Sequence, residues 1–257
     1  KVNLRRSDIT SDDLILVVER LKEMPNLIEL KLSQNKITSI ASLSVLVNLT
    51  KLYLDNNQIT DIQTISGLPN LTTLGLNHNK IISIDAISEL IMLTDLGLSY
   101  NQITSIDSLG GLINLTKLGL RKNQITSIAS LGELISLTEL GLSKNQISSI
   151  VPLSGLVDLT YLNLKNNQIT SIEPLSGLVN LTYIDLENNP FQGNIPLHLQ
   201  QFIEDDVSDS DIDIDRELRK ITNASLQLQI QEQNTNAYSS ASSNVSYSER
   251  VTALEVH

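Results

Sequence analysis

Leucine and isoleucine recur along this chain with one fixed period. The segment "LIELKLSQNKITSIASLSVLVN" starts at Leu27, and equivalent segments start at Leu49, Leu71, Leu93, Leu115, Leu137 and Leu159. Another starts at Leu181 and departs from the pattern after Asn189. Each unit is too short to bury its own apolar face. The fixed period therefore predicts a solenoid, in which neighbouring units stack on one continuous core.

Each unit begins with a pattern typical of a β-strand. In "LTKLGL", residues 115–120, the leucines at the fourth and sixth places alternate with a different residue at the fifth. Stacked units then predict a parallel sheet along one side of the solenoid. The later part of each unit, "ITSIxxLxxL", must return along the other side. It has little room for an α-helix, so we expect short 3₁₀ or irregular turns.

The ninth place of the units is occupied by asparagine. A side-chain amide at each bend can pair with the backbone groups that the turn leaves without partners, so we expect a structural ladder and no functional role. The asparagines are Asn35, Asn57, Asn79, Asn101, Asn123, Asn145, Asn167 and Asn189.

The motif L-x-x-L-x-L-x-x-N-x-I, present in seven full units, resembles the leucine-rich repeat family. The likeness is to the short repeats of bacterial internalins and of eukaryotic phosphatase-regulatory subunits. It implies an α/β solenoid: a leucine-rich repeat horseshoe with a parallel β-sheet on the concave face and short 3₁₀ or irregular convex segments. Such solenoids offer a long concave sheet for binding.

The two ends depart from the regular unit. Residues 1–26 read as an incomplete, helix-bearing first repeat, in which Ser11 is the expected helix cap and Leu14, Val17, Val18 and Leu21 form an apolar face. Residues 27–189 are the 22-residue repeats. Residues 190–203 read as a capping unit, whose Phe191, Ile195, Leu199 and Phe202 would cover the last core layer.

Residues 204–257 are expected to be an acidic linker and a Ser/Asn-rich tail that can lead into another domain. We also expect the chain to be part of a larger protein. Asp209, Asp211, Asp213 and Asp215 alternate, but an EF-hand loop would need glycine and glutamate where Ile214 and Lys220 stand. We therefore interpret this stretch as a solvated acidic linker without a metal site.

Composition excludes several kinds of site. The formal net charge is -11, so nothing points to nucleic-acid binding. The chain has no cysteine, and its His78, His198 and His257 are scattered, so thiolate and zinc sites are not expected. It also lacks an apolar stretch of membrane-spanning length. None of the phosphate-binding, dinucleotide-binding or nucleophile-elbow motifs occurs, so we expect neither an enzyme nor a cofactor.

The concave face carries the candidate binding residues. At the fifth place four consecutive units have glycine, which predicts a smooth lane with polar walls: Gly75, Gly97, Gly119 and Gly141. This lane is either a binding trough or a trace of repeat duplication and crowding. Residues of the types preferred at interfaces lie around it: Tyr53, Tyr100, Tyr161, Tyr183 and Arg121. Lys117 stands in the polar wall of the lane. Lys117 and Arg121 belong to a basic cluster with Lys122, Lys144 and Lys165. It could receive an acidic partner or residues 204–217, or be a solvated face.

These patterns favour a protein-interaction module that binds an unidentified protein partner through its concave sheet. The alternatives are a regulatory segment of a multidomain GTPase or phosphatase scaffold, and an internalin-like bacterial surface adhesin. We expect a monomeric solenoid, and the regular Ile/Asn/Gln-rich repeats suggest a bacterial source. The absence of cysteine argues against disulfide-capped extracellular receptors. For localisation, the cytoplasm is slightly favoured over the cell surface.

Overall fold

Parallel strands follow one another in chain order and form one sheet. A computed structural model describes residues 1–192, 195–200 and 202, and these contain a nine-stranded sheet with the order β1 to β9. The strands are β1 (Val2–Asn3), β2 (Glu29–Lys31), β3 (Lys51–Tyr53), β4 (Thr73–Gly75), β5 (Asp95–Gly97), β6 (Lys117–Gly119), β7 (Glu139–Gly141), β8 (Tyr161–Asn163) and β9 (Tyr183–Asp185).

The register of the sheet repeats the 22-residue period of the sequence. Leu52 lies opposite Leu74, Leu96 opposite Leu118, and each leucine of the fourth place from Leu30 to Leu162 is at most 1% exposed. Side chains on one strand alternate between the two faces. The third and fifth places therefore form lanes across the opposite, concave face. The predicted leucine-rich solenoid is confirmed.

The return segments on the opposite side are 3₁₀ turns, as predicted. Within the described residues they are Ala41–Val45, Gln63–Gly67, Asp85–Glu89, Asp107–Leu109, Ala129–Glu133, Val151–Gly155 and Glu173–Leu175. Each carries one leucine or isoleucine into the core, such as Leu131, which is fully buried. A 3₁₀ turn rises more per residue than an α-helix and so returns the chain within a short repeat.

The first unit contains the expected helix, but with a different cap. Helix α1 spans Ser11–Leu21 and buries Leu14, Val18 and Leu21. Thr10, not Ser11, is the N-cap: its hydroxyl accepts from the Asp13 backbone N–H, and the Asp13 carboxylate accepts from the Thr10 N–H. The Ser11 hydroxyl instead accepts from the backbone N–H groups of Thr38 and Ser39, so it ties α1 to the next unit.

The asparagine ladder is also confirmed. The Asn123 carbonyl oxygen accepts from the Ile103 backbone N–H at 3.0 Å, and its amide nitrogen lies 3.0 Å from the carbonyl oxygens of Leu98 and Leu120. Equivalent bonds recur in the neighbouring units. One side chain thus satisfies three buried backbone groups in two units, which explains why the position repeats.

Beyond the last strand, the short helix α2 (Leu197–Gln200) buries Leu199. Phe191, Ile195 and Phe202 are partly buried against the same core. The capping role of residues 190–203 stays a prediction that these contacts support. The proposed linker and tail, 204–257, lie outside the described residues.

Candidate partner-binding face

Two aromatic side chains of the concave face form a pair. Tyr161 and Tyr183 occupy the third place of β8 and β9 and lie opposite each other in the register. Their rings stack with centroids 4.5 Å apart and an angle of 8° between the planes. Both are partly exposed. The pair therefore presents a rigid aromatic surface at one end of the sheet, next to Glu139 in the same lane.

Tyr53 lies at the other end of the glycine lane, opposite Gly75. The Lys31 ammonium lies 5.0 Å from the centre of its ring, within cation–π range. Burial raises the pKa of Tyr53 to about 12, and the nearby carboxylates of Glu29, Asp95 and Asp55 act in the same direction. The phenol is therefore neutral and can donate a hydrogen bond at physiological pH.

This shift makes a pH-dependent prediction for stability. The folded state favours the protonated phenol, so its contribution is fully present below the unfolded pKa of about 10 and is lost as pH rises through about 12. The midpoint temperature of thermal unfolding should therefore fall more steeply between pH 10 and pH 12 for the wild type than for Tyr53→Phe. The two proteins differ only at this residue, so the difference between their stability curves isolates Tyr53. Parallel curves would contradict the shift.

The space above two of the four lane glycines is occupied, so the lane is not bare along its whole length. Gly75, Gly97, Gly119 and Gly141 are all buried. A Cβ atom built on Gly97 would lie 2.5 Å from the Asn77 amide nitrogen, and one on Gly75 would lie 2.8 Å from the Asp55 carboxylate. At these two positions, the seventh-place side chain of the preceding unit occupies the space above the glycine.

Those side chains form a second ladder, which sequence reasoning missed. The Asp55 carboxylate accepts from the Asn77 backbone N–H at 3.1 Å, the Asn77 side-chain oxygen from the Ser99 N–H at 2.8 Å, and the Ser99 hydroxyl from the Arg121 N–H at 3.1 Å. Asp55, Asn77 and Ser99 thus each cap the seventh-place backbone N–H of the next unit. Short polar residues beside the glycines were the signal in the sequence.

Three units without glycine satisfy the same N–H differently. There the fifth-place side chain accepts from the backbone two residues later, as in Asn3 to Arg5, Asn163 to Lys165 and Asp185 to Glu187. The same requirement therefore has two solutions: a capping side chain from the previous unit that lies above a fifth-place glycine, or a capping side chain at the fifth place itself. This supports crowding as the reason for Gly75 and Gly97.

The structure divides the predicted basic cluster. Lys117 forms an ion pair with Glu139 at 2.6 Å, and Lys165 pairs with Glu187 at 2.5 Å. Arg121 is buried, with 8% of its surface exposed. Lys122 and Lys144 remain exposed. The positive charge available to a partner is therefore concentrated on the rim at the eighth place of the units.

Tyr100 lies on this rim between basic groups. Its ring stacks on His78 with centroids 4.0 Å apart, and the Lys122 ammonium and Arg121 guanidinium lie 5.1 and 5.3 Å from its centre. His78, Tyr100 and Lys122 all have left-handed backbone conformations, with φ between 54° and 59°. Non-glycine residues adopt this conformation rarely, and it aligns these side chains along one edge. His78 was not among the predicted site residues.

Among residues 1–192, 195–200 and 202, no group of three or more histidine, aspartate or glutamate side chains is arranged to hold a metal ion. The same residues contain no helix long and apolar enough to cross a membrane.

Comparisons with known proteins agree with this architecture. The family model "Leucine Rich repeats (2 copies)" matches residues 25–67, 47–90, 91–133, 135–175 and 158–197. A comparison with curated protein sequences found no match.

Several solved structures are similar. Internalin C2 of Listeria monocytogenes is 34% identical, with a TM-score of 0.67, over 71% of this chain and 78% of that one. Internalin F of the same organism is 34% identical, with a TM-score of 0.63, over 65% of this chain and 50% of that one. The plant peptide hormone receptor RGFR1, solved in complex with RGF2, shares the fold at 24% identity and a TM-score of 0.62, over 70% and 31% of the two chains. With its repeated core, register and asparagine ladder, the chain belongs to the leucine-rich repeat family.

Proposed function

We propose that this chain binds a protein partner on the concave face of its sheet, with Tyr161 and Tyr183 as the main anchor. The observation that carries the proposal is their stacked, partly exposed pair. Tyrosine offers a large contact area and has few rotatable bonds, so ordering it on binding costs little entropy. The prior stack lowers that cost further, because each ring already restricts the other.

The remaining candidate residues supply the surroundings of this anchor. Tyr100, Lys122 and Lys144 form a positively charged rim that suits acidic groups on the partner. Lys117 lies two strands from Tyr161 in the same lane and is paired with the intervening Glu139. Gly75 and Gly97 shape the floor without offering open space. The partner would thus contact the tyrosines and the rim more than the glycines.

The leucine-rich repeat family consists in general of interaction scaffolds without catalytic activity, which agrees with a binding role. Among the wider assignments, we favour an internalin-like bacterial protein over a regulatory segment of a GTPase or phosphatase. The support is the 34% identity to internalin C2 across 78% of that chain. A cell-surface location would follow from this assignment, in place of the cytoplasm.

The test begins with the full chain as bait for capture and mass-spectrometric identification of a protein, which is then purified and titrated. Changing both Tyr161 and Tyr183 to alanine should weaken binding at least about tenfold, the usual loss for a buried aromatic anchor. The matched control is Val151→Ala, on the exposed 3₁₀ side. Unchanged affinity of the tyrosine variant, with its fold intact by circular dichroism, would refute the anchor. Equal weakening by the control would refute the concave site.

A further inference from the structure

A row of exposed apolar side chains runs along the edge of the solenoid where the strands begin. Every unit from the first to the last full repeat has an apolar residue within the turn that leads into the next strand. The members of this row are Pro25, Val47, Pro69, Ile91, Ile113, Ile135, Val157 and Val179. All are exposed, and the six isoleucine and valine side chains retain 48–69% of their accessible surface.

The local backbone does not require these residue types. Val47 and Asn48 are the central residues of a turn closed by the Leu49 N–H and the Leu46 carbonyl at 3.1 Å, and the same turn recurs at Ile91 and Ile113. The first central position of a β-turn favours proline, and turns in general favour polar residues and glycine. Pro25 and Pro69 fit this rule. The valines and isoleucines do not, and in water their exposure is unfavourable.

The row is also held rigidly. The amide of Asn70 donates to the Val47 carbonyl at 2.9 Å, Asn114 to the Ile91 carbonyl at 2.9 Å, and Asn180 to the Val157 carbonyl at 3.0 Å. Adjacent turns are thus linked through the backbone of the row itself. A surface whose shape is set in advance loses little entropy when it binds.

From this row we infer that a second copy of the chain packs against it, with the two rows antiparallel across a two-fold axis between the turns of Ile91 and Ile113. The row offers an apolar strip on the order of 600 Å², at the upper end of the largest patch that an ordinary monomer exposes and approaching the ~800 Å² per partner of a standard interface. A straight row of similar side chains is self-complementary under such an axis.

Charges beside the row favour this arrangement. The exposed acidic residues of the flanking positions are Glu23, Glu89, Glu133 and Asp158. In the antiparallel pairing, each of these carboxylates faces the flanking positions of a different turn in the other copy. The paired positions are Glu89 with Gly111, Glu133 with Gly67, Asp158 with Val45, and Glu23 with Gly177. None of these turns has a carboxylate at the flanking positions. A parallel pairing would place each carboxylate against its own copy, which is unfavourable.

This dimer would replace the monomer expected from the sequence, and it leaves the concave face open for a different partner. The net charge of -11 on each copy opposes association, so added salt should strengthen the dimer by screening. Binding of an acidic partner to the basic rim would weaken with salt. The two proposals therefore respond to salt in opposite directions and can fail independently.

The first experiment is sedimentation equilibrium of the full chain at concentrations up to about 0.5 mM. We expect a monomer–dimer equilibrium, and Ile91→Thr with Ile113→Thr should raise its dissociation constant at least about tenfold. The control is Ile82→Thr: Ile82 is 58% exposed but lies outside the row, where neighbouring units have Thr60 and Thr104. A purely monomeric wild type, or equal weakening by the control, would overturn the proposal.

The alignment of the two copies has its own test, because the chain contains no cysteine and introduced cysteines would be the only thiols. Under oxidation, a mixture of the Ile91→Cys and Ile113→Cys variants should form disulfide-linked dimers in higher yield than either variant alone. Position 91 of one copy faces position 113 of the other across the proposed axis. Position 91 of one copy is offset from position 91 of the other by one repeat unit. Equal yields from the mixture and the single variants would overturn the antiparallel pairing. This readout does not depend on the threonine variants folding.

Discussion

Replacing Asn123 with leucine should lower the free energy of unfolding by about 3–5 kcal/mol, since a buried backbone group left without a partner costs roughly 1–3 kcal/mol and each further buried hydrogen bond that is lost costs roughly 0.5–1.5 kcal/mol. The N–H of Ile103 loses its partner, and the carbonyls of Leu98 and Leu120 each lose one of two side-chain hydrogen bonds, keeping those from Asn101 and Asn145. The leucine and isoleucine residues concerned are fully buried, so water cannot replace the amide without opening the stack.

Urea unfolding followed by circular dichroism measures this loss. Asn114→Ala is the matched control, because its amide also donates to a carbonyl of the preceding unit, that of Ile91, but at an exposed site. Water can take over that bond, and the expected change is within about 0.5 kcal/mol. Solenoids can unfold unit by unit, so amide hydrogen exchange should show the strongest loss of protection next to Asn123. A loss below about 1 kcal/mol would mean that the ladder contributes little stability.

Much of the fold follows from the period because each unit contacts mainly its neighbours. The places of Leu118 and Asn123 in the repeat were enough to predict a buried strand residue and a structural amide, and both are observed. The N-cap of helix α1 was harder to predict. Thr10 and Ser11 both bear hydroxyls suited to a cap, and only the tertiary contact of Ser11 with Thr38 and Ser39 separates their roles.

The candidate face was less predictable because its side chains interact across units. The spacing placed Tyr161 and Tyr183 in one lane, so their proximity could be anticipated, whereas the stacking geometry could not. The sequence alone suggests that a lysine is free to bind a partner's acidic groups. Lys117, however, forms an ion pair with Glu139 of the next unit. What a lane offers to a partner depends on such lateral contacts, which residue type alone does not specify.

At the glycine lane, too, contacts between units decide the structure, and this can be tested. Gly75 and Gly97 avoid the left-handed backbone conformation that would require glycine, so the reason for glycine is space. A β-carbon at Gly97 would push aside Asn77, whose side-chain oxygen accepts from the Ser99 N–H and whose amide donates to the Asp55 carboxylate at 2.9 Å. Gly97→Ala should therefore cost roughly 2 kcal/mol through the lost cap.

A compensating variant separates this mechanism from general overpacking. Asn163 caps the Lys165 N–H from the fifth place, and the preceding unit has only Ser143 at the seventh. Copying this solution with Asn77→Ser and Gly97→Asn together should restore most of the stability that Gly97→Asn alone removes. A double-mutant cycle by urea unfolding should give a coupling energy of about 1 kcal/mol or more between the two positions. If the two changes were additive, the crowding would lie elsewhere, and Gly97 would again be a candidate for direct contact with a partner.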